Sequence, residues 1–152
     1  MAVYFLLLTG GLLCFKHFLG DGVLQTSYQY INKAKFMHPG GLIHAGIHGL
    51  FTMPAILIGL IVTAPHMPHF LALWLAVSLG ITDMIVHYTI DYSKENLTRG
   101  YGWIKVGHGG PDEPVLSIYN TRYFWALMGD QCLHFATYLA LMAAALTIAN
   151  LT

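Results

Sequence analysis

Four apolar stretches, each long enough to cross a bilayer, constrain this 152-residue chain more than any other feature. They occupy about residues 2–25, 41–64, 68–92 and 123–151. At ~1.5 Å rise per residue, a helix of such length covers the ~30 Å hydrocarbon layer with a little to spare. Only Pro65, His66 and Met67 separate the second stretch from the third, and Pro65 and Pro68 stop one helix and start the next. The sequence therefore predicts an all-α fold: a four-transmembrane-helix bundle running up, down, up, down, as a single membrane domain over residues 1–152. The other two connections, residues 26–40 and 93–122, are longer and polar. The second, about 30 residues, exceeds an ordinary connection and carries a glycine-rich run around His108, which suits a lid or a docking surface.

Composition agrees with a lipid-facing chain. Hydrophobic residues make up 56% and charged residues 9%, against roughly 25% charged in a soluble domain, which argues against a self-contained soluble globule. Seven basic residues balance seven acidic ones, so no basic surface exists to grip a nucleic-acid backbone, and no nucleic-acid partner is expected. Cys14 and Cys132 form neither a CxxC nor a Cys/His run and read as small packing residues. The first 20 or so residues lack the basic start and small-x-small site of a cleaved signal, so they are read as the first span.

In an up-down-up-down chain both polar connections lie on one side. Lys16, Lys33, Lys35, Lys94, Arg99, Lys105 and Arg122 all sort to that side, and the positive-inside rule makes it cytoplasmic. The expected location is thus a multi-pass integral membrane protein, of a bacterial inner membrane, with both termini outside and the long loops inside.

Against this background the polar residues within the spans stand out. Asp21, Asp83, Asp91 and Asp130 fall within or at the ends of the apolar segments, joined by His17, His44, His48, His87 and His134. An aspartate near the centre of a spanning helix costs about 2.5 to 3.5 kcal/mol, so four unpaired ones would cost on the order of 10 kcal/mol. They need partners. His17 and Asp21, His44 and His48, His87 and Asp91, and Asp130 and His134 are each four apart, so every helix carries one pair on one face. The pairs lie near the end of the first helix, the start of the second, the end of the third and the start of the fourth, which brings all four to a similar depth. One polar cluster is the simplest solution.

Imidazole and carboxylate without thiolate suit zinc, iron or manganese, and helix bundles build dinuclear sites from ligands on facing helices. The candidate ligands are His17, Asp21, His44, His48, Asp83, His87, Asp91, Asp130 and His134, more than one ion needs, so two or three divalent metal ions are expected, zinc first. Asp83 lies a turn deeper and is read either as a ligand or as a partner orienting His87. Gln25 and Gln131 are read as hydrogen-bonding supports, and His38, His66, His69 and His108 as solvated, with His108 able to reach a substrate from its loop. The glycine-rich run lacks the GxxxxGK[ST] pattern of a phosphate loop.

The ordered set His17-Phe-Leu-Gly-Asp21 with Leu24-Gln25, then His44 to His48, then His87-Tyr-Thr-Ile-Asp91, then Asp130-Gln131-Cys132-Leu133-His134 resembles the signature of an uncharacterised integral-membrane family of bacteria and phages, domain of unknown function 3307. The resemblance covers nearly the whole chain and implies a small multi-pass membrane protein. In pair spacing alone the chain is also similar to membrane-bound metal-dependent hydrolases and to the helical zinc phospholipase C and nuclease group, whose His-x-x-x-Asp and His-x-x-x-Glu helices surround phosphodiester-cleaving zinc ions. It has no equivalent Glu pair and almost no soluble domain.

Four functions are compatible with these residues. The leading one is a metal-dependent hydrolase of a phosphoester, lipid-linked or soluble, in which metal-bound water attacks phosphorus. A proton or divalent-ion transport protein would use the same cluster, but residues 51–64 and 139–148 hold no ionisable side chain to continue a path. A haem carrier is disfavoured by the aspartates, because a porphyrin needs largely apolar walls. A non-catalytic membrane interaction protein is the fourth, and a four-span bundle could also pair with its own copy as a homo-oligomer.

Overall fold

A computed structural model describes residues 2–103 and 121–152. Five α-helices and no strand occur among the described residues: α1 (Ala2–Phe18), α2 (Ser27–Asn32), α3 (Pro39–Thr63), α4 (His69–Gly100) and α5 (Thr121–Ala149). A π-helical turn, Leu19–Val23, continues α1. With that turn included, four helices are long and apolar enough to cross a membrane: Ala2–Val23, Pro39–Thr63, His69–Gly100 and Thr121–Ala149. Around the bundle α1 packs on α3, α3 on α4 and α4 on α5, while α5 closes against α1. The expected helical bundle is the observed one.

Local chemistry explains where the helices start. The Thr26 hydroxyl accepts from the Gln29 amide and the Gln29 side chain accepts from the Thr26 amide, a reciprocal cap that starts the short α2. His38 Nδ1 accepts from the Gly40 amide and Pro39 opens α3 with a fixed φ and no amide to satisfy. Between α3 and α4 the tight turn buries Ala64 and Met67. His66 in that turn, expected to be solvated, bonds through Nε2 to the Ala149 carbonyl (3.1 Å) and ties the turn to the end of α5.

The third span was expected to end near Tyr92, but α4 runs 32 residues to Gly100. At ~1.5 Å per residue this is about 48 Å, well beyond the ~30 Å apolar layer. Hydropathy marks where a helix leaves lipid, and helix formation follows other rules. The extra turns are held by a Glu95–Arg99 pair (3.9 Å) and by the Thr98 hydroxyl donating to the Lys94 carbonyl (2.9 Å). They take up the first part of the expected 93–122 loop. Lys105, His108 and the Gly107–Pro111 run lie outside the described residues.

The bundle is apolar outside and polar within. Leu7, Phe15, Leu50, Val62, Phe70, Trp74 and Leu139 are exposed, whereas His44, His48, Asp83, His87 and His134 are each at most 1% exposed. That inversion suits a lipid solvent. One half of the interior is closed by Phe5, Leu13, Ile56, Leu60, Ala76 and Ala145, and the other half holds the polar side chains.

Small residues set how closely α3 and α4 approach. A Cβ on Gly49 would lie 2.6 Å from the Gly80 carbonyl oxygen, and one on Gly80 would lie 2.8 Å from the Gly49 carbonyl oxygen, so the two backbones touch there. This contact places His44 and His48 of α3 opposite Asp83 and His87 of α4. Gly80→Leu is expected to force the helices apart at a cost of about 1–3 kcal/mol, read as a lower melting temperature of the detergent-solubilised protein. Gly46→Leu, at a position where a Cβ meets nothing within 4 Å, is the matched control and should change stability by less than about 0.5 kcal/mol.

Candidate metal centre

Each span delivers its pair to one level of the bundle. On α1 the π-helical turn carries Asp21 round to the interior, with Gly20 pressed against the His48 ring so closely that a Cβ would overlap the imidazole. On α3, His44 and His48 lie one turn apart with ring centroids 4.8 Å from each other. On α4 the His87 ring stacks between His48 (3.6 Å) and His134 of α5 (4.1 Å).

Two groups of donor atoms result. Asp21, His44, His48 and His87 form one, and His87, Asp91 and His134 the other, each with its ligand atoms within 4.8 Å of one another. His87 belongs to both. Within and between them, His44 Nε2 lies 3.0 Å from Asp21 Oδ1, 3.2 Å from Asp91 Oδ2 and 3.2 Å from His87 Nε2. His48 Nε2 is 3.5 Å from Asp21 Oδ1, His87 Nε2 is 3.5 Å from Asp91 Oδ2, and His134 Nε2 is 3.6 Å from Asp91 Oδ1. Asp130 Oδ1 sits 3.6 Å from His134 Nε2 at the edge of the second group.

These separations can be tested against coordination. Ligands on one ion at bonds of about 2.0–2.2 Å are about 2.8–3.6 Å apart, from octahedral to tetrahedral angles. The donors therefore fit such an ion with little movement. Hydrogen bonding accounts for part of the cluster poorly, since His48 Nε2, Asp130 Oδ1 and His134 Nε2 are buried without a hydrogen-bond partner, whereas His44 and His87 meet through Nε2 and leave only their Nδ1 atoms unpaired. Each buried orphan costs about 1–3 kcal/mol unless something binds it. Charge points the same way: among the described residues the one ammonium within 4 Å of Asp21 or Asp91 is that of Lys33, which lies 2.8 Å from Asp91 Oδ2 and 3.8 Å from Asp21 Oδ1. The described residues thus contain His/Asp groups able to hold a metal ion.

The remaining candidates have other partners. His17 Nε2 approaches Gln131 Oε1 (2.8 Å) and Asp21 Oδ2 (3.2 Å), while its Nδ1 meets the Tyr138 hydroxyl (2.8 Å). With both nitrogens engaged, His17 is placed to hold Asp21 rather than to offer a free lone pair. Gln131 also donates to Asp130 Oδ2 (3.3 Å), and Gln25 donates to Asp21 Oδ1 (3.2 Å). Asp83 stands outside both groups: its Oδ2 accepts from Lys16 Nζ (2.6 Å) and from the Thr52 hydroxyl (2.7 Å), and no contact links it to His87.

Lys16, grouped with the loop cations on charge alone, is in fact 3% exposed and crosses the bundle from α1 to α4. Its Nζ lies over the Tyr138 ring (4.5 Å) and 3.4 Å from His48 Nδ1. Lys33, equally unexpected, is 5% exposed and enters the site from the end of α2. Position within an apolar run was the signal for Lys16. Nothing in the pattern around Lys33 marks it.

A cavity of about 510 Å³ opens onto the site through Asp21, whose side chain is 27% exposed, and is lined by Gln25, Tyr30, Glu95, Arg99, Trp103 and Tyr123.

The family described as "Protein of unknown function (DUF3307)" matches residues 7–152. The chain belongs to this family. The match takes in the first span from residue 7, the whole of the other three, and every side chain of the two donor groups. No curated protein matches the chain, and no solved structure does.

Lys16→Met leaves the Asp83 carboxylate buried and uncompensated and is expected to destabilise the bundle by about 3–5 kcal/mol. Removing both charges, as Lys16→Met with Asp83→Leu, should cost less than the single change. Denaturant titration of the solubilised protein measures both, and a double variant weaker than Lys16→Met would show that the pair is not the source of the loss.

Proposed function

We propose that this chain is an integral membrane protein that holds two divalent metal ions, zinc first, and hydrolyses a phosphoester at the membrane face. The observation that carries the reading is the pair of His/Asp groups sharing His87, with donor separations of 3.0–3.6 Å and buried lone pairs that no hydrogen bond satisfies. Asp21, His44 and His48 would hold one ion and Asp91, His134 and Asp130 the other, with His87 completing one of them. Imidazole-rich donors without thiolate suit zinc, with manganese or iron as substitutes.

Bound divalent ions supply an acidified water and charge neutralisation of the phosphoryl oxygens. The chain's own residues do the rest. The cavity at Asp21 admits the substrate from the aqueous side, and Arg99 on its wall offers a guanidinium to a phosphate. Lys33, already between the two carboxylates, adds a second cation near the developing charge. In hydrolysis the water oxygen forms the new bond to phosphorus, the ester P–O bond breaks, and the departing alkoxide takes up the proton the water gives away.

The orientation proposed is that α2 and the projecting end of α4 face the cytoplasm, with both termini outside. Among the described residues Lys35, Lys94, Arg99 and Arg122 remain at that end when the buried Lys16 and Lys33 are set aside. A through-path for ions is less well supported, because Phe5, Leu13, Ile56 and Leu60, at most 1% exposed, close the other half of the interior.

Elemental analysis of protein purified in detergent is expected to find two equivalents of metal, falling by at least one in His48→Ala and in Asp91→Ala. Chelation should lower the melting temperature and abolish phosphate release from phosphomonoesters and phosphodiesters presented in micelles or in solution, with zinc restoring both. Metal-free protein of unchanged stability overturns the metal site. Metal-loaded protein that releases phosphate from neither class overturns the reaction.

A further inference from the structure

The cavity at Asp21 is not the only opening beside the site. A second one, about 380 Å³, lies between α4 and α5 and is lined by Ile90, Lys94, Leu97, Trp103, Asp130 and Leu133, among others, with almost wholly apolar walls. It faces outward from the bundle, since Leu97 and Leu133 are 56% and 57% exposed. Asp130 is among its lining residues and its Oδ1 lies 3.6 Å from His134 Nε2, so the groove comes to the edge of the second donor group. Trp103 lines both openings.

Depth says what such a groove meets. Counted from His69, about 20 residues of α4 cross the hydrocarbon layer, so residues 89–97 stand where acyl chains give way to headgroups. An apolar, outward-facing groove at that level is filled by the upper part of a lipid, and although Lys94 on its wall pairs with Glu95 (2.7 Å), Arg99 shares the same carboxylate (3.9 Å), so the group keeps one net positive charge to complement a phosphate. A wholly water-soluble phosphoester would need only the cavity at Asp21. Two openings, one of mixed lining beside Asp21 and one almost wholly apolar beside Asp130 at the edge of the second donor group, fit an amphiphile whose phosphate lies between them.

We infer that the substrate is a phospholipid-type phosphoester that enters sideways between α4 and α5, with its acyl root in this groove and its phosphate at the His/Asp cluster. The inference rests on the phosphoester reading of the site and adds the class of molecule and its route. Gly129, on the α5 wall, allows a direct test, because a Cβ there meets no atom within 4 Å and leaves a larger side chain room to enter the groove.

The probe is phosphatidic acid carrying a diazirine near the carbonyl end of one acyl chain, doped into phosphatidylcholine nanodiscs that hold the metal-loaded protein. Photolysis and peptide mapping are expected to place labels on residues 90–97 and 126–133 at least five-fold above the equally lipid-exposed residues 70–74. Gly129→Leu should cut that labelling five-fold or more, and Gly46→Leu should leave it intact. Labelling that merely follows exposure, or that Gly129→Leu does not change, marks annular lipid and overturns the inference. Phosphate release is scored separately in the same samples. Release from a soluble phosphoester without groove labelling leaves the hydrolase reading standing and removes the lipid substrate, whereas groove labelling without release from any phosphoester removes the reaction and leaves a lipid site.

Discussion

Ionised and imidazole side chains in a low-dielectric interior must find compensation, and this requirement organises the whole bundle. A single charge at the centre of a spanning helix costs about 2.5–3.5 kcal/mol. Here Lys16, Asp83, Asp91 and Asp130 are all buried among five histidines. The structure meets the cost in two ways. Lys16 and Asp83 neutralise each other, with the Thr52 hydroxyl donating a further hydrogen bond to Asp83. Asp21 and Asp91 share the Lys33 ammonium and lie beside His48 and His134, whose Nε2 atoms are unpaired. The first set is complete as it stands; the second is a donor set that could hold a metal ion.

Backbone geometry makes that concentration of donors possible. Ordinary helix packing holds axes about 8–10 Å apart, but the Gly49 and Gly80 contact brings α3 and α4 together backbone to backbone. Their histidines then reach stacking distance. On α1 the π-helical turn changes the register by which Asp21 faces inward, while Gly20 clears room for His48. Function and packing share the same glycines, so the site is built into the scaffold rather than carried on loops.

Much of this was legible in the sequence. Spans of apolar residues and the Pro65/Pro68 turn announced the helices, and four pairs at spacing four announced a common level for His44, His48, His87, Asp91 and His134. What the pattern could not convey was partner choice. Asp83 and His17 obey the same periodicity as the other donors, yet Asp83 is occupied by Lys16, and His17 by Tyr138 and Gln131. Periodicity fixes the face of a helix, but which neighbour lies across from that face is a property of the bundle. The length of α4 was hidden for a related reason: hydropathy falls at the membrane surface whether or not the helix continues.

The diagonal contact of Lys16 with Asp83 also bears on how the chain is made. The two residues are 67 positions apart, and the intervening segment includes the whole second span. During synthesis the first helix leaves the translocon with a lysine that has no counter-ion yet, and it gains one only when the third has been threaded. Until then it is better held at the protein-lined exit than released into bulk acyl chains. The pairing thus couples the first span to the third and makes the lysine's burial conditional on the later helix.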